Sequence, residues 1–217
     1  PLTAGQETGR AFADVLLGDA SPSGRLPLTL PQSEADGAQP CWASHCIYTE
    51  GLHGGWRGLI GSPVAFEFGY GLSYTTFTHR WSRTPPGLAI EVPSTPRAEA
   101  GGDEGGGRKG SSPVVLELDV VVENSGSLPG SEVVQLYLSY PPAANEPALV
   151  MRDFRKTPTL EPGQQVTIRF GLTVEALSVW NAQLDAGDGD WQRVSGTFTA
   201  VVGRSSRSHT LTHSFTA

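Results

Sequence analysis

Apolar residues recur at four-residue intervals between positions 6 and 17, where Ala11 precedes Val15, Phe12 precedes Leu16 and Ala13 precedes Leu17. That spacing gathers apolar groups on one side of a helix, and Gly18 follows in the position of a left-handed C-cap. Ser21-Pro22-Ser23-Gly24 predicts a turn, and the alternation Leu26-Pro27-Leu28-Thr29-Leu30 predicts a short strand. Pro27 confines that strand to a sheet edge or a strand start. One helix and one strand cannot bury their apolar faces alone, so they read as the last unit of an α/β domain whose other units lie upstream of Pro1. Residues 32–65 carry Pro, Gly, Ser and single aromatics without a period, which predicts an ordered, irregular crossing loop.

From residue 74 onward the period changes to that of strands. Short β-branched runs occur at 114–122, 133–138, 165–170 and 197–202, each bounded by turn residues. Adding 74–81, 149–155, 191–194 and 209–215 gives about eight strands, the number expected of an immunoglobulin-like or fibronectin III-like sandwich. Asn124-Ser125-Gly126, Glu161-Pro162-Gly163 and Gly187-Asp188-Gly189 separate neighbouring runs. Residues 84–112 are dominated by Pro, Gly, Ala and charge and lack the apolar surface to offset chain entropy. They are expected to be a disordered insertion between the first two sandwich strands.

With 217 residues, 38% hydrophobic and 17% charged, the chain has the composition of a soluble globular protein with material for a core. Twenty-two acids against fifteen Lys and Arg argue against a nucleic-acid partner, which would favour clustered basic residues. No run approaches the roughly 18 apolar residues needed to cross a bilayer, and the N-terminus lacks the regions of a signal peptide. That absence says little about secretion, because the chain enters at once on what reads as the middle of a domain.

Candidate chemistry is sparse. Cys41 and Cys46 enclose Trp42-Ala43-Ser44-His45, compatible with a local disulfide or with part of a metal site. The disulfide needs Cα atoms within about 7 Å; zinc takes four ligands, and no second pair accompanies Cys-x3-His-Cys. The glycines of 101–110 lack a Gly-Lys-Ser/Thr ending and read as solvated linker. Asp185, Asp188 and Asp190 miss the calcium-loop spacing and its distal Glu, so a hairpin turn before Trp191 is expected. The five histidines are scattered, His53 and His79 reading as surface or loop residues, and no Ser, His and acid grouping emerges.

The segment Phe66-Glu67-Phe68-Gly69-Tyr70-Gly71-Leu72-Ser73-Tyr74-Thr75-Thr76-Phe77 sets two glycines around a tyrosine ahead of alternating aromatic and hydroxyl residues. It resembles the phrase that joins the last two domains of glycoside hydrolase family 3 enzymes. The likeness extends upstream, in register, to Gly5-Gln6-Glu7, Ala13-Asp14-Val15-Leu16 and the stretch from Gly18-Asp19 to Arg25-Leu26-Pro27. Tyr48-Thr49-Glu50-Gly51 through Trp56-Arg57 resembles another family phrase, with Trp56 where Tyr is usual. Downstream, Val120-Val121-Val122-Glu123-Asn124-Ser125-Gly126, Gly130-Ser131-Glu132 through Tyr137, Arg152-Asp153-Phe154, Leu160-Glu161-Pro162-Gly163 and Val202-Gly203-Arg204-Ser205-Ser206 resemble its fibronectin III-like domain. Asp153 stands where Gly is common. Glu67 looks like the β-xylosidase branch, whereas Glu50-Gly51-Leu52 and Trp56-Arg57 look like the β-glucosidase branch.

The resemblance implies a mainly β fold: a fibronectin III/immunoglobulin-like β-sandwich preceded by the last helix-strand unit of a truncated α/β sandwich domain. Residues 1–65 would be that tail plus an interdomain loop, and 66–217 the sandwich with its insertion at about 84–112. Hydrolysis of a glycoside uses two carboxyl groups flanking the anomeric carbon. In the family these are an Asp on a (β/α)8 barrel and a Glu commonly on the following α/β domain, both earlier than the part matched from Pro1 onward. No catalytic, cofactor-binding or metal residue is therefore expected here. Glu7 and Asp19 are read as helix-terminus and turn residues. Trp56 is read as interdomain packing, with Glu50 and Arg57 bonding neighbouring backbone and a cleft-rim role as the alternative. The expected function is the C-terminal scaffold of a retaining, exo-acting β-glucosidase or β-xylosidase. Its partners would be the upstream domains and the parent enzyme's oligosaccharide or glycoside substrate, with no nucleic acid and no membrane, in the secretory pathway or outside the cell. The alternative is a non-catalytic sandwich module for binding or adhesion.

Overall fold

The four-residue recurrence near the start forms helix α1 (Thr8–Leu17), which stops at Gly18 and buries none of its residues. Two short strands, β1 (Leu30–Pro31) and β2 (Val64–Phe66), then pair antiparallel. The computed structural model describes residues 5–37, 41–83, 85, 112–184 and 189–217. The insertion expected at 84–112, the glycines of 101–110 and both Asp185 and Asp188 lie outside these residues, positions 85 and 112 excepted.

Strand β3 (Phe77–Trp81) leads to β4 (Val114–Asn124), β5 (Val133–Ser139), β6 (Val150–Lys156) and β7 (Gln165–Thr173). The hairpin of β8 (Ser178–Asn181) and β9 (Asp190–Arg193) precedes β10 (Thr197–Gly203) and β11 (His209–Thr216). A three-stranded sheet, β3-β4-β7, faces a four-stranded one ordered β11-β10-β5-β6, with all pairings antiparallel. This is the mainly β sandwich read from the sequence.

Strict alternation along β4 sends Leu116, Leu118, Val120 and Val122 inward, where they meet Leu136, Leu138, Phe170, Phe198 and Val202. Each fully buried side chain of this kind contributes roughly 1.5–3 kcal/mol from apolar transfer. Strand β5 departs from alternation, since Val134 through Leu138 are buried on both faces. A strand reads as a continuous apolar run when something covers its outer face as well. Here the cover is the segment before β3: Trp56, Ile60 and Phe68 pack on Tyr137 and Val201.

The register defines two poles. Asn124, Gly130 and Leu160 meet at the near pole, beside Glu132 and the start of β5. At the far pole the end of β5 meets the segment after β7, where the Tyr140 hydroxyl donates to the Ala176 carbonyl at 2.5 Å.

Two elements differ from expectation. The strand foreseen at 26–30 contracts to Leu30–Pro31, because Pro27 withholds a ladder donor. Leu26 instead exchanges backbone bonds with the 69–70 segment, Leu26 N to Tyr70 O and Gly69 N to Leu26 O, both 2.8 Å. Strand β8 was not foreseen, and it pairs with β9, which was.

Candidate functional site

Several polar side chains with long-range partners converge where the segment before β3 meets the near pole. Arg25 follows Ser21-Pro22-Ser23-Gly24, where the expected turn does not form, and donates to Glu132 at 2.8 Å, their side chains being only 9% and 2% exposed. Glu132 also accepts from the Val133 backbone, and its own amide donates to Thr157 Oγ1. Of the Arg25 guanidinium, Nη1 donates to Gly24 O, whereas Nε is buried without a partner among the described residues, so the pair is only partly satisfied.

Gln135 forms the centre of the seam. Its Nε2 donates to the carbonyls of Gly69 at 3.1 Å and Arg204 at 2.5 Å, while Oε1 accepts from the Tyr137 hydroxyl at 2.5 Å. Burial, helped by the charge of Glu67, pushes the Tyr137 phenol well above its ordinary range, so it stays a donor. Glu67 accepts from Ser205, Phe68 O accepts from Ser206 N, and Arg207 donates to the carbonyls of Leu59 and Ser62. Arg204 donates to the Phe77 carbonyl. Residues 204–207 therefore work as a latch, with Arg207 holding the chain before β2 and residues 204–206 holding it after β2 and at the start of β3.

Trp56 stacks on Phe68 with centroids 4.8 Å apart and meets Tyr137 edge-on at 5.7 Å. One ring face is thus taken by protein. Neither the Glu50 nor the Arg57 side chain bonds backbone among the described residues; the Glu50 carbonyl accepts from His53 N, and Tyr48 donates to Gly51 O. Arg57 acts instead on Glu146, where its charge opposes the upward push that burial gives the carboxyl. Beside the seam lies a groove of about 340 Å³, walled by Leu26, Pro27, Phe68, Val133, Met151 and Phe154.

The remaining sequence candidates stand apart. Glu7 occupies the helix N-cap position without a side-chain cap bond, and Asp19 has no side-chain hydrogen bond among the described residues, so it does not cap a turn. His53 is exposed in a 3-10 turn. His79 is no loop residue: it lies on β3, bonds Thr210 through Nδ1 at 2.8 Å, and has its Nε2 buried without a partner among the described residues. Burial, with the nearby charge of Arg204, lowers its pKa to about 4. Cys41 and Cys46 are joined in a disulfide with Cα atoms 6.0 Å apart, which decides between the two readings of that pair. Asp190 accepts from the Trp191 amide at the foot of a hairpin. Both seam carboxylates, Glu132 and Glu67, are committed to protein donors, an arrangement suited to holding segments together and not to moving protons.

Two family descriptions match this chain: the glycosyl hydrolase family 3 C-terminal domain over residues 2–74 and the fibronectin type III-like domain over residues 132–206. The chain belongs to glycoside hydrolase family 3. Among curated family 3 relatives, probable β-glucosidase D of Aspergillus niger is 37% identical over 216 residues, covering 98% of this chain and 27% of its own. Probable β-glucosidase L of Neosartorya fischeri is 40% identical over 207 residues, covering 94% and 26%. Of solved structures, β-glucosidase D2-BGL from Chaetomella raphigera superposes with a TM-score of 0.82 at 34% identity, over 98% of this chain and 29% of that one. The β-D-glucoside glucohydrolase of Trichoderma reesei gives 0.78 at 33%, over 97% and 29%. The chain thus spans about a quarter of the length of the curated relatives it matches.

Arg25, Glu132, Gln135 and Ser205 lie within the family-like phrases but carry no local sign of their roles, and Arg207 lies just outside them. A signal existed in the first half of β5. Gln135 interrupts an otherwise apolar run just after Glu132, and a polar residue inside a buried strand needs partners.

Proposed function

We propose that this chain is the C-terminal support region of a retaining, exo-acting family 3 β-glucosidase, whose nucleophile and acid/base stand on polypeptide before residue 1. The observation that carries the reading is the exposed apolar surface at its start. Phe12, Leu16 and Leu17 of α1 are 48%, 76% and 79% exposed, and Leu30 and Phe66 of the two-stranded sheet are 40% and 42% exposed. Apolar area left in water forgoes roughly 25 cal/mol per Å², so such a face belongs against further α/β units. On this reading residues 1–65 complete an upstream α/β domain, 66–217 form the sandwich, and no residue of the chain is catalytic.

Glucosides are the favoured substrates over xylosides, because the relatives above carry glucosidase names at 37–40% identity. The exposed disulfide at Cys41 and Cys46 supports an oxidising, extracytosolic destination. Among the described residues no helix is long and apolar enough to cross a membrane.

The test is paired expression. The gene extended upstream through its barrel should hydrolyse an aryl β-glucoside from the non-reducing end, while the 217-residue chain alone should not. Turnover by the pure 217-residue chain, or an extended gene that encodes no barrel, would overturn the reading.

A further inference from the structure

Strand β6 leaves part of the sandwich's outer face bare. Met151, Phe154 and Lys156 stand opposite Tyr137, Gln135 and Val133 of β5, and side chains directly opposed across two strands share a face. Trp56, Ile60 and Phe68 cover that face over Tyr137 and Val201, and Met151 packs against the same cluster. Past Met151 the cover stops, and Phe154 is 60% exposed. What remains is the groove of about 340 Å³, floored by the β5–β6 face and walled by Leu26, Pro27 and Phe68.

The groove also has a charge. Arg25 and Lys156 line it, and among the described residues no carboxylate does, although the chain holds twenty-two acids against fifteen Lys and Arg. Arg25 is already paired with Glu132, whereas Lys156 has no ion-pair partner among the described residues. A group that fits here brings apolar surface for Phe154 and Met151 and a negative charge for Lys156.

We propose that the groove seats a segment of the polypeptide before residue 1, one that presents an apolar side chain beside a carboxylate. The groove continues an interface that the chain already makes with itself: residues 24–27 and 56–68 lie on the outer face of β5, and the groove opens at the margin of that cover. Further polypeptide extending the same layer arrives at this margin first. The chain covers only 27% and 26% of two curated relatives, so in them such polypeptide exists. A second copy fits less well, because a stable dimer buries about 800 Å² per partner, whereas a groove of about 340 Å³ seats only a few side chains. Such an occupant depends on the support reading, which supplies the polypeptide that carries it.

The experiment is hydroxyl-radical footprinting, read by mass spectrometry, of the 217-residue chain and of the product of the gene extended upstream, each normalised to an added reporter peptide. Met151, the single methionine of the chain, and Phe154 are both read without any substitution. They should react about tenfold more slowly in the extended protein, the slowing expected if the groove stands open about a tenth of the time. Phe170 and Phe198, in the core, should be protected in both samples and so report that the sandwich is folded. In the extended protein Lys156→Glu should restore much of the reactivity of Met151 and Phe154, and Lys156→Arg should not. Equal reactivity in the two samples, with the extended protein hydrolysing an aryl β-glucoside, would overturn the docking proposal and leave the support reading standing. Protection in an extended protein without glycosidase activity would uphold the docking and overturn that reading. Protection unchanged by Lys156→Glu would remove the carboxylate from the proposal. Protection that grows with concentration in the 217-residue chain alone would overturn it, because a second copy would then be the occupant.

Discussion

Gly69 and Gln135 occupy almost the same space: a side chain added to Gly69 would run into the Gln135 amide, whose Nε2 donates to the Gly69 carbonyl. The two glycines around Tyr70 thus have physical origins, since a side chain at Gly71 would likewise run into the Gly24 carbonyl. The backbone at Gly69, with φ of +81°, passes against the buried outer face of β5. Gly69→Ala combines a left-handed conformation with an overlap and should cost about 2–3 kcal/mol. For a domain of this size that is a fall in Tm of roughly 5–10 °C, measurable by circular dichroism.

Removing one member of the Arg25 and Glu132 pair leaves the other charge buried and unanswered. Arg25→Met and Glu132→Met should each destabilise by about 3 kcal/mol. The double variant should lose less than the sum, by at least ~1 kcal/mol. A chemical-denaturation cycle reads the coupling, and strict additivity would show that the pair contributes nothing specific.

Asn124 uses all of its amide. Oδ1 accepts from Thr75 Oγ1 at 2.7 Å and Gly126 N at 3.1 Å, while Nδ2 donates to Leu128 O and Leu160 O. Asn124→Asp preserves shape but turns an acceptor toward two carbonyls, so Asp and Ala should both cost about 2–4 kcal/mol. Equal stability of Asn124→Asp and the parent in urea melts would contradict the assigned amide orientation.

His79 makes the fold sensitive to acid. Unfolded, its imidazole takes up a proton near pH 6.5; folded, it does so only near pH 4. Between those values the unfolded state binds the extra proton, so this stability is complete above about pH 6.5 and drains away toward pH 4. The loss is at most about 3 kcal/mol. Comparing urea midpoints of the parent and His79→Gln at pH 7.5 and 4.5 isolates it: the parent should lose more, and equal losses would sink the claim.

Periodicity made α1 and most strands legible, because each depends on residues close in sequence. It failed where the deciding partner was distant. Leu26-Pro27-Leu28-Thr29-Leu30 alternates like a strand, yet what Leu26 meets is the 69–70 backbone, which a local pattern cannot announce. Strand β8 is only four residues long and follows a one-turn 3-10 helix, too little for a period to register. The seam joins Arg25 to a residue 107 positions away. Even so, polar Gln135 within the apolar run of β5 marked where a covering segment had to come. The sequence also left the two cysteines open between two chemistries, which only their geometry could decide.

Arg207 reaches the loop ahead of β2 through two carbonyl oxygens, those of Leu59 and Ser62, and through no side chain there. A guanidinium that reads peptide groups is indifferent to which residues carry them. The route of that loop is therefore fixed while its lettering is free, and substitutions at 59 and 62 should be absorbed far more readily than any replacement of Arg207 itself.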